Sequence, residues 1–170
     1  MEFGKADICH WATSNSTKRR GKFGNRFMSS EFWVGKKVLV TGATGFIGSW
    51  LTEDLVSKGA EVSVFVKKDD SLGIDAIKNF KEKIKIFYGD VTQQNTISPA
   101  IRDQEVVLHL AASSQVLHSI ENPYNSLLVN TVGTANLLEE LRKINSNQIF
   151  IFASTDKVYG EPKYLPIDEH

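Results

Sequence analysis

The stretch KKVLVTGATGFIGSWL, residues 36–51, decides the fold. Its first part, KKVLVTG (Lys36 to Gly42), is a nearly unbroken apolar run that ends in glycine, the pattern of a parallel strand covered on both faces. The amphipathic stretch that follows, Phe46 to Lys58, puts Ile47, Leu51, Leu55 and Val56 at helical spacing and stops at Gly59, a C-cap. Between strand and helix lies TGATGFIG (Thr41 to Gly48), with Gly42, Gly45 and Gly48 three residues apart. Each glycine has a separate task in such a loop. Gly42 lets the chain turn sharply off the strand, Gly45 lets backbone N–H groups approach a pyrophosphate, and Gly48 lets the helix sit close to the sheet. The helix N-terminus then faces the phosphates. Gly42, Thr44, Gly45, Phe46, Ile47 and Gly48 are therefore expected to form the cofactor-binding loop of a dinucleotide site.

Outward from this loop, short β-branched runs alternate with longer amphipathic stretches, as in βα units. EVSVFV (Glu61 to Val66) is the second strand. A weaker helix around Ile74 to Phe80 precedes KIKIFYGD, a third strand ending near Asp90. A short helix, Asn95 to Arg102, leads to EVVLHLAA, the fourth strand. The longest helix starts at Asn122, with Pro123 at its first position, and runs to about Lys143. Tyr124, Leu128, Val132, Ala135, Leu138 and Leu141 form its expected apolar stripe, and Gly133 signals close packing. NQIFIFAST is the fifth strand, and Asp156 to His170 reads as loop. Right-handed crossovers give a doubly wound α/β parallel sheet, Rossmann-like, of order 3-2-1-4-5 and incomplete at its C-terminal end.

Composition narrows the function. Of the 170 residues 41% are hydrophobic, enough for one domain with its own core. Lys plus Arg and Asp plus Glu balance at 20 each, so net charge gives no pull toward nucleic acid or an anionic membrane. The sole cysteine, Cys9, excludes an internal disulfide and points to a reducing, cytoplasmic setting. No apolar run approaches the roughly 20 residues of a membrane-spanning helix. Basic residues crowd residues 1 to 30, where Lys5, Lys18, Arg19, Arg20, Lys22 and Arg26 face only Glu2 and Asp7. This tail lacks periodicity and is expected to be disordered or foreign to the domain, which then covers residues 31–170. His118 and His170 have no carboxylate or cysteine at ligand spacing, so no metal site is expected. His109, at the end of an apolar strand, reads as a packed core histidine. Trp33, beside Phe32, reads as a staple of the chain entry.

The end of the second strand separates NAD from NADP, because a carboxylate there bonds the ribose 2′-hydroxyl whereas a cation accommodates a 2′-phosphate. The chain reads VFVKKDD at this point. Lys67 and Lys68 come first and lean toward NADP. NAD held through Asp69 is the alternative.

Taken together, these motifs resemble the extended short-chain dehydrogenase/reductase family, the NAD-dependent nucleotide-sugar epimerases and dehydratases. TGATGFIGSWL resembles its glycine loop, Gly89 and Asp90 its adenine-side strand end, and HLAA (His109 to Ala112) its fourth-strand signature. NPYNSLLVNTVGTANLLEELR resembles its long helix, and FASTDKVYG (Phe152 to Gly160) its active-site segment. Within the family, FWVGKKVLVTGATGFIGSWL and STDK are most similar to the CDP-glucose 4,6-dehydratase group. The resemblance implies that Asp90 and Val91 flank the adenine, Ala111 and Ala112 line the nicotinamide ribose, and Asn130 supports the site from the long helix. Thr155 stands at the position of the catalytic serine or threonine, where a hydroxyl can bond the sugar C4 oxygen as it becomes a ketone.

Dehydratases of this kind oxidise C4, eliminate water across C5 and C6, and return the hydride to C6. On the resemblance, Asp156 is the general acid for the leaving hydroxyl and Lys157 its electrostatic or proton-relay partner. Many sugar dehydratases carry glutamate at the position of Lys157. A surface ion pair is the plain alternative for the two residues. The family's Tyr-x-x-x-Lys pair would fall near position 180, beyond His170. The string from Tyr159 to Lys163 contains Gly160 and Pro162, which spoil the helix such a pair needs. The expected protein is thus the cofactor-binding part of a nucleotide-sugar dehydratase, inactive by itself. Its partner is a nucleotide-sugar held mostly outside these residues, with a homodimer through the long helix implied by the resemblance. An epimerase or reductase of the same family and a non-catalytic NAD(P)-sensing module are the alternatives.

Overall fold

The computed structural model describes residues 30–68, 70–144, 147–161 and 164. Ser30 apart, the basic tail lies outside the described residues, as do Asp69, Lys163 and His170. A short helix, α1 (Ser30–Trp33), leads into β1 (Lys37–Thr41). Trp33 is buried there and meets the Phe32 ring edge-on at 4.9 Å, the expected staple. Helix α2 (Phe46–Ser57) and β2 (Glu61–Val66) follow. Next come α3 (Ser71–Ile74), which continues as a 3-10 helix (Asp75–Lys83), then β3 (Lys85–Tyr88), α4 (Gln94–Ile101) and β4 (Val106–His109). After α5 (Val116–Glu121), the long helix comprises α6 (Pro123–Leu127), a π segment (Leu128–Val132) and α7 (Gly133–Ile144). Strand β5 (Ile149–Phe152) and a 3-10 turn (Asp156–Tyr159) complete the described chain.

All four strand pairings are parallel, and the order is β3-β2-β1-β4-β5, as expected. Alternating side chains of each strand feed two cores. Val38 and Val40 of β1 join Val62, Val64, Leu55, Ile77 and Phe80 on one face. Leu39 points the other way, to Phe65, Ile97, Ile101, Val107 and Leu137. Covered on both faces, the strands can be apolar along their whole length, which is why no polar alternation marked them in the sequence.

Strand β5 differs. Among the described residues its one neighbour in the sheet is β4, and both Ile151 and Phe152 are exposed.

The long helix is where the expected packing needs correction. Tyr124, Val132, Ala135 and Leu138 of the expected stripe are exposed, and the helix instead buries Val129, Gly133, Leu137 and Glu140. The π segment holds an extra residue in its turn, so the face C-terminal to it is rotated relative to an uninterrupted 3.6-residue repeat. Gly133 fits its expected role, because a Cβ there would meet Val91 Cγ2 at 2.7 Å. Ile47 also departs from its expected face; it is 67% exposed, while Gly48, Thr52 and Leu55 are the buried positions of α2.

This rotation has a direct test. Leu137→Ala is expected to cost about 2–5 kcal/mol in urea denaturation, as truncations of fully buried leucines do. Leu138→Ala, one residue on and exposed, should change stability by less than about 0.5 kcal/mol.

Candidate functional site: a glycine-walled cleft at the strand ends

An open cleft of about 620 Å³ lies over the C-terminal ends of the strands. Sheets of this order place their ligand crevice where the strand order reverses, here between β1 and β4. One wall is the glycine loop: Gly42, Thr44, Gly45, Phe46, Ile47 and Gly48 all line the cleft. Phe65, Val66, Lys67 and Asp70 line it from β2, and Gly89 and Val91 from β3. Leu110, Ala111, Ala112, Ser113 and Ser114 follow β4, Asn125 and Val129 come from the long helix, and Ala153 and Ser154 from the end of β5.

The loop's shape requires its glycines. Gly42 has φ +72°, in the left-handed region, and a Cβ there would sit 2.7 Å from the Ala111 backbone nitrogen. A Cβ on Gly48 would lie 2.0 Å from the Gly42 carbonyl oxygen. Gly48 thus allows the first turn of α2 to pack against the loop's own backbone, a tighter approach than the expected one to the sheet. Gly45 is the N-cap of α2 and has no side chain to occupy the space before the helix N-terminus. A cradle free of side chains, ahead of unsatisfied helix N–H groups, fits the pyrophosphate of a dinucleotide.

A buried hydrogen-bond chain holds the cleft floor. The Ala111 N–H donates to the Thr41 hydroxyl oxygen (3.2 Å), and Thr41 Oγ1 lies 2.6 Å from His109 Nδ1. On the other side of the imidazole, Nε2 is 3.0 Å from Thr134 Oγ1, whose hydroxyl donates to the Asn130 carbonyl at 2.8 Å. Since Thr134 spends its proton on that carbonyl, it accepts from Nε2–H. Nδ1 is then the acceptor for the Thr41 hydroxyl. The chain runs in one direction through a neutral ring. His109 is 1% exposed, and burial pushes its pKa down to about 4. It is the core histidine the sequence suggested, with both ring nitrogens engaged.

Asn130, on the long helix, is hydrogen-bonded to the segment that follows β4. Its Oδ1 accepts from the Ser113 N–H at 2.7 Å, and its Nδ2 donates to the Ser113 carbonyl at 3.0 Å. The side chain clamps the segment after β4 from the π segment of the long helix. Asn136 does the same for the β3 end, donating to the Val91 carbonyl at 3.0 Å.

Other expected residues are less central. Asp90 stands between two cleft-lining residues, Gly89 and Val91, and its carboxylate pairs with Lys67 Nζ at 3.0 Å. Burial opposes its ionisation, but the Thr92 N–H and hydroxyl and the Lys67 ammonium outweigh burial and hold its pKa below the usual carboxylate value. Of the two cations expected at the ribose 2′-position, Lys67 lines the cleft with its ammonium paired to Asp90, and Lys68 is exposed and does not line it. Asp70, which does line it, accepts from the Thr44 hydroxyl at 2.6 Å and from the Gly73 N–H at 2.9 Å. Proximity to Lys67 in sequence was its only signal.

Thr155 and Lys157 are exposed just beyond the lining residues Ala153 and Ser154. The Thr155 hydroxyl oxygen accepts from the Lys157 N–H at 3.3 Å and caps the 3-10 turn. The side chains of Asp156 and Tyr159 are outside the described set.

The family described as GDP-mannose 4,6 dehydratase matches residues 39–170. The chain belongs to that family. Its relatives are named as epimerases, decarboxylases and a 4,6-dehydratase of sugar nucleotides, the group suggested by its motifs. A protein described as a putative UDP-glucose 4-epimerase of Methanocaldococcus jannaschii is 36% identical over 134 residues, 78% of this chain and 43% of that protein. The CDP-glucose 4,6-dehydratase of Salmonella typhimurium is 29% identical over 141 residues, 81% of this chain and 39% of the enzyme. Among solved structures, a UDP-glucose 4-epimerase from Brucella ovis in complex with NAD superposes with a TM-score of 0.67 at 30% identity. It covers 79% of this chain, which in turn covers 40% of it. The chain therefore spans about two fifths of the length of these dehydratase and epimerase relatives. No described helix is long and apolar enough to cross a membrane. Among the described residues no cluster of three His, Cys, Asp or Glu could hold a metal ion.

Two measurements probe the cleft. Gly48→Ala, which drives a methyl into the Gly42 carbonyl, is expected to weaken dinucleotide binding at least tenfold in calorimetric titration. His109 gives a pH signature. Its ring resists protonation in the folded chain, so between pH 6.5 and about 4 the unfolded chain takes up a proton that the folded one refuses. Stability should fall across that window, by up to about 1.4 kcal/mol per pH unit from this group, and His109→Gln should flatten the slope.

Proposed function

We propose that the chain is the dinucleotide-binding portion of a nucleotide-sugar 4,6-dehydratase that uses a nicotinamide cofactor. The observation that carries this reading is the glycine-walled cleft ending at Ala153 and Ser154, directly before the Thr155-Asp156-Lys157 segment. The loop backbone from Gly42 to Gly48 would hold the pyrophosphate, the β2 and β3 ends the adenosine, and Ala111 to Ser113 the nicotinamide side. A bound nicotinamide supplies a hydride acceptor and donor.

The chain's own residues then act on the sugar. The Thr155 hydroxyl donates to the C4 oxygen as it gains carbonyl character. Asp156 gives a proton to the hydroxyl leaving C6, which departs as water, Lys157 keeps the resulting carboxylate balanced in charge, and the protons lost from the C4 hydroxyl and from C5 pass to bases that these three residues do not supply. The sugar nucleotide is held mainly by residues outside this chain, so residues 1–170 bind the dinucleotide without turning over a sugar.

A second reading, a sugar epimerase, draws support from the 36% identity to a protein described as a UDP-glucose 4-epimerase. Lys157 also stands where many dehydratases carry glutamate. An epimerase needs no acid at C6, and this separates the two. A third, a binding module without catalysis, would show dinucleotide binding and no turnover even in the protein that carries this domain together with a substrate domain.

Mass spectrometry of the products of that larger protein decides among them. A dehydratase removes one water from the sugar nucleotide, whereas an epimerase leaves the mass unchanged. Thr155→Ala is expected to lower kcat by about 10²–10³. Asp156→Asn should abolish water loss and leave oxidation at C4 measurable. Unchanged water loss in that variant removes Asp156 from the reaction.

A further inference from the structure

The adenosine end of the cleft contains an arrangement that the proposed reaction does not use. Lys67 is the first residue beyond β2, lines the cleft, and gives its ammonium to Asp90 Oδ2 at 3.0 Å. The other carboxylate oxygen of Asp90, Oδ1, accepts from the Thr92 N–H and hydroxyl, each at 2.9 Å. Asp70 also lines the cleft, with one oxygen accepting from Thr44 and the other from Gly73. In a sheet of this order the end of the second strand reads the ribose 2′-position of a dinucleotide, by a carboxylate for a hydroxyl or by a cation for a phosphate. Both groups are present here, and the cation is committed elsewhere.

We propose that Asp90 sets the preference for NAD over NADP by withholding Lys67 from the 2′-phosphate. This rests on the reading of the cleft as a dinucleotide site. The 2′-hydroxyl of NAD asks nothing of Lys67 and can donate to the Asp70 carboxylate. A 2′-phosphate must draw the ammonium away from Asp90 and lie near two carboxylates, Asp70 and the abandoned Asp90. Lys67 and Asp90 are both partly exposed, so the pair is worth only a few-fold in an equilibrium. That is enough to bias two cofactors that differ in one group.

Neutral substitutions at Asp90 test this by binding alone. Dissociation constants for NAD and NADP are measured by calorimetry for the wild-type chain, Asp90→Asn, Lys67→Met and the double variant, with thermal melts confirming folding. The wild type is expected to bind NAD more tightly. Asp90→Asn should raise the affinity for NADP relative to NAD about fivefold, and in the Lys67→Met background the same change should move the ratio less than twofold. Asp90→Ser, which keeps an acceptor for Thr92, replaces Asp90→Asn if the latter does not fold.

An unmoved ratio in the Asp90 variants overturns the proposal. So does an equal rise without Lys67, which would mean plain repulsion by Asp90, and so does a wild type that prefers NADP. A wild-type chain that binds neither dinucleotide refutes the reading of the cleft, and the proposal with it. One that binds both with an unmoved ratio refutes the proposal alone.

Discussion

One buried imidazole joins the three segments that shape the cleft. His109 accepts from Thr41, the last residue before the glycine loop, and donates to Thr134 on the long helix; its own backbone carbonyl receives the N–H of Ala153 past β5. Each bond has a single sense because Thr41 and Thr134 have neighbours, Ala111 and Asn130, that fix which way their hydroxyls point. A buried polar group left without partners is costly, so the network holds best when all its members are in place. The positions of the glycine loop, the β4 end and the helix are in this way mutually dependent. The ring has to stay neutral for the arrangement to hold, and the surrounding apolar residues keep it so, Phe150 and Phe152 among them.

Three glycines give the cleft part of its wall as bare main chain, and the short residues Ala111, Ala112 and Ser113 line it beyond β4. On the proposed reading, binding and chemistry would occupy different places. The backbone cradle sits over β1 and β4, while Thr155 and its neighbours sit at the end of β5, at the border of the described domain. This division agrees with a chain that spans about two fifths of the length of its relatives.

Much of this was legible in the sequence, for identifiable reasons. The glycine loop could be read because strand, turn and helix each left a local signal in consecutive residues, and the strand order followed from the handedness of crossovers. Asn130 and Gly133 stood out through motif and residue type. What escaped notice depended on distance or on small changes of phase. Beyond the π segment at Leu128–Val132 the buried face of the long helix runs through Gly133, Leu137 and Glu140, and an apolar pattern at spacings of three and four cannot reveal such an insertion. The Lys67 to Asp90 pair joins residues from two different strand ends, so the local reading VFVKKDD showed a cation without showing what held it. Asp70 escaped for a similar reason, since its role comes from Thr44, which folding brings close.

Strand β5 has a further consequence. Among the described residues, the row Ile149, Phe150, Ile151 and Phe152 is hydrogen-bonded to a strand on one side only, and its last two side chains are exposed. A short, uncharged, β-favouring margin of this kind can recruit a strand from any neighbouring molecule. A lysine at the exposed Ile151 would act as a gatekeeper against such pairing without replacing a residue that lines the cleft.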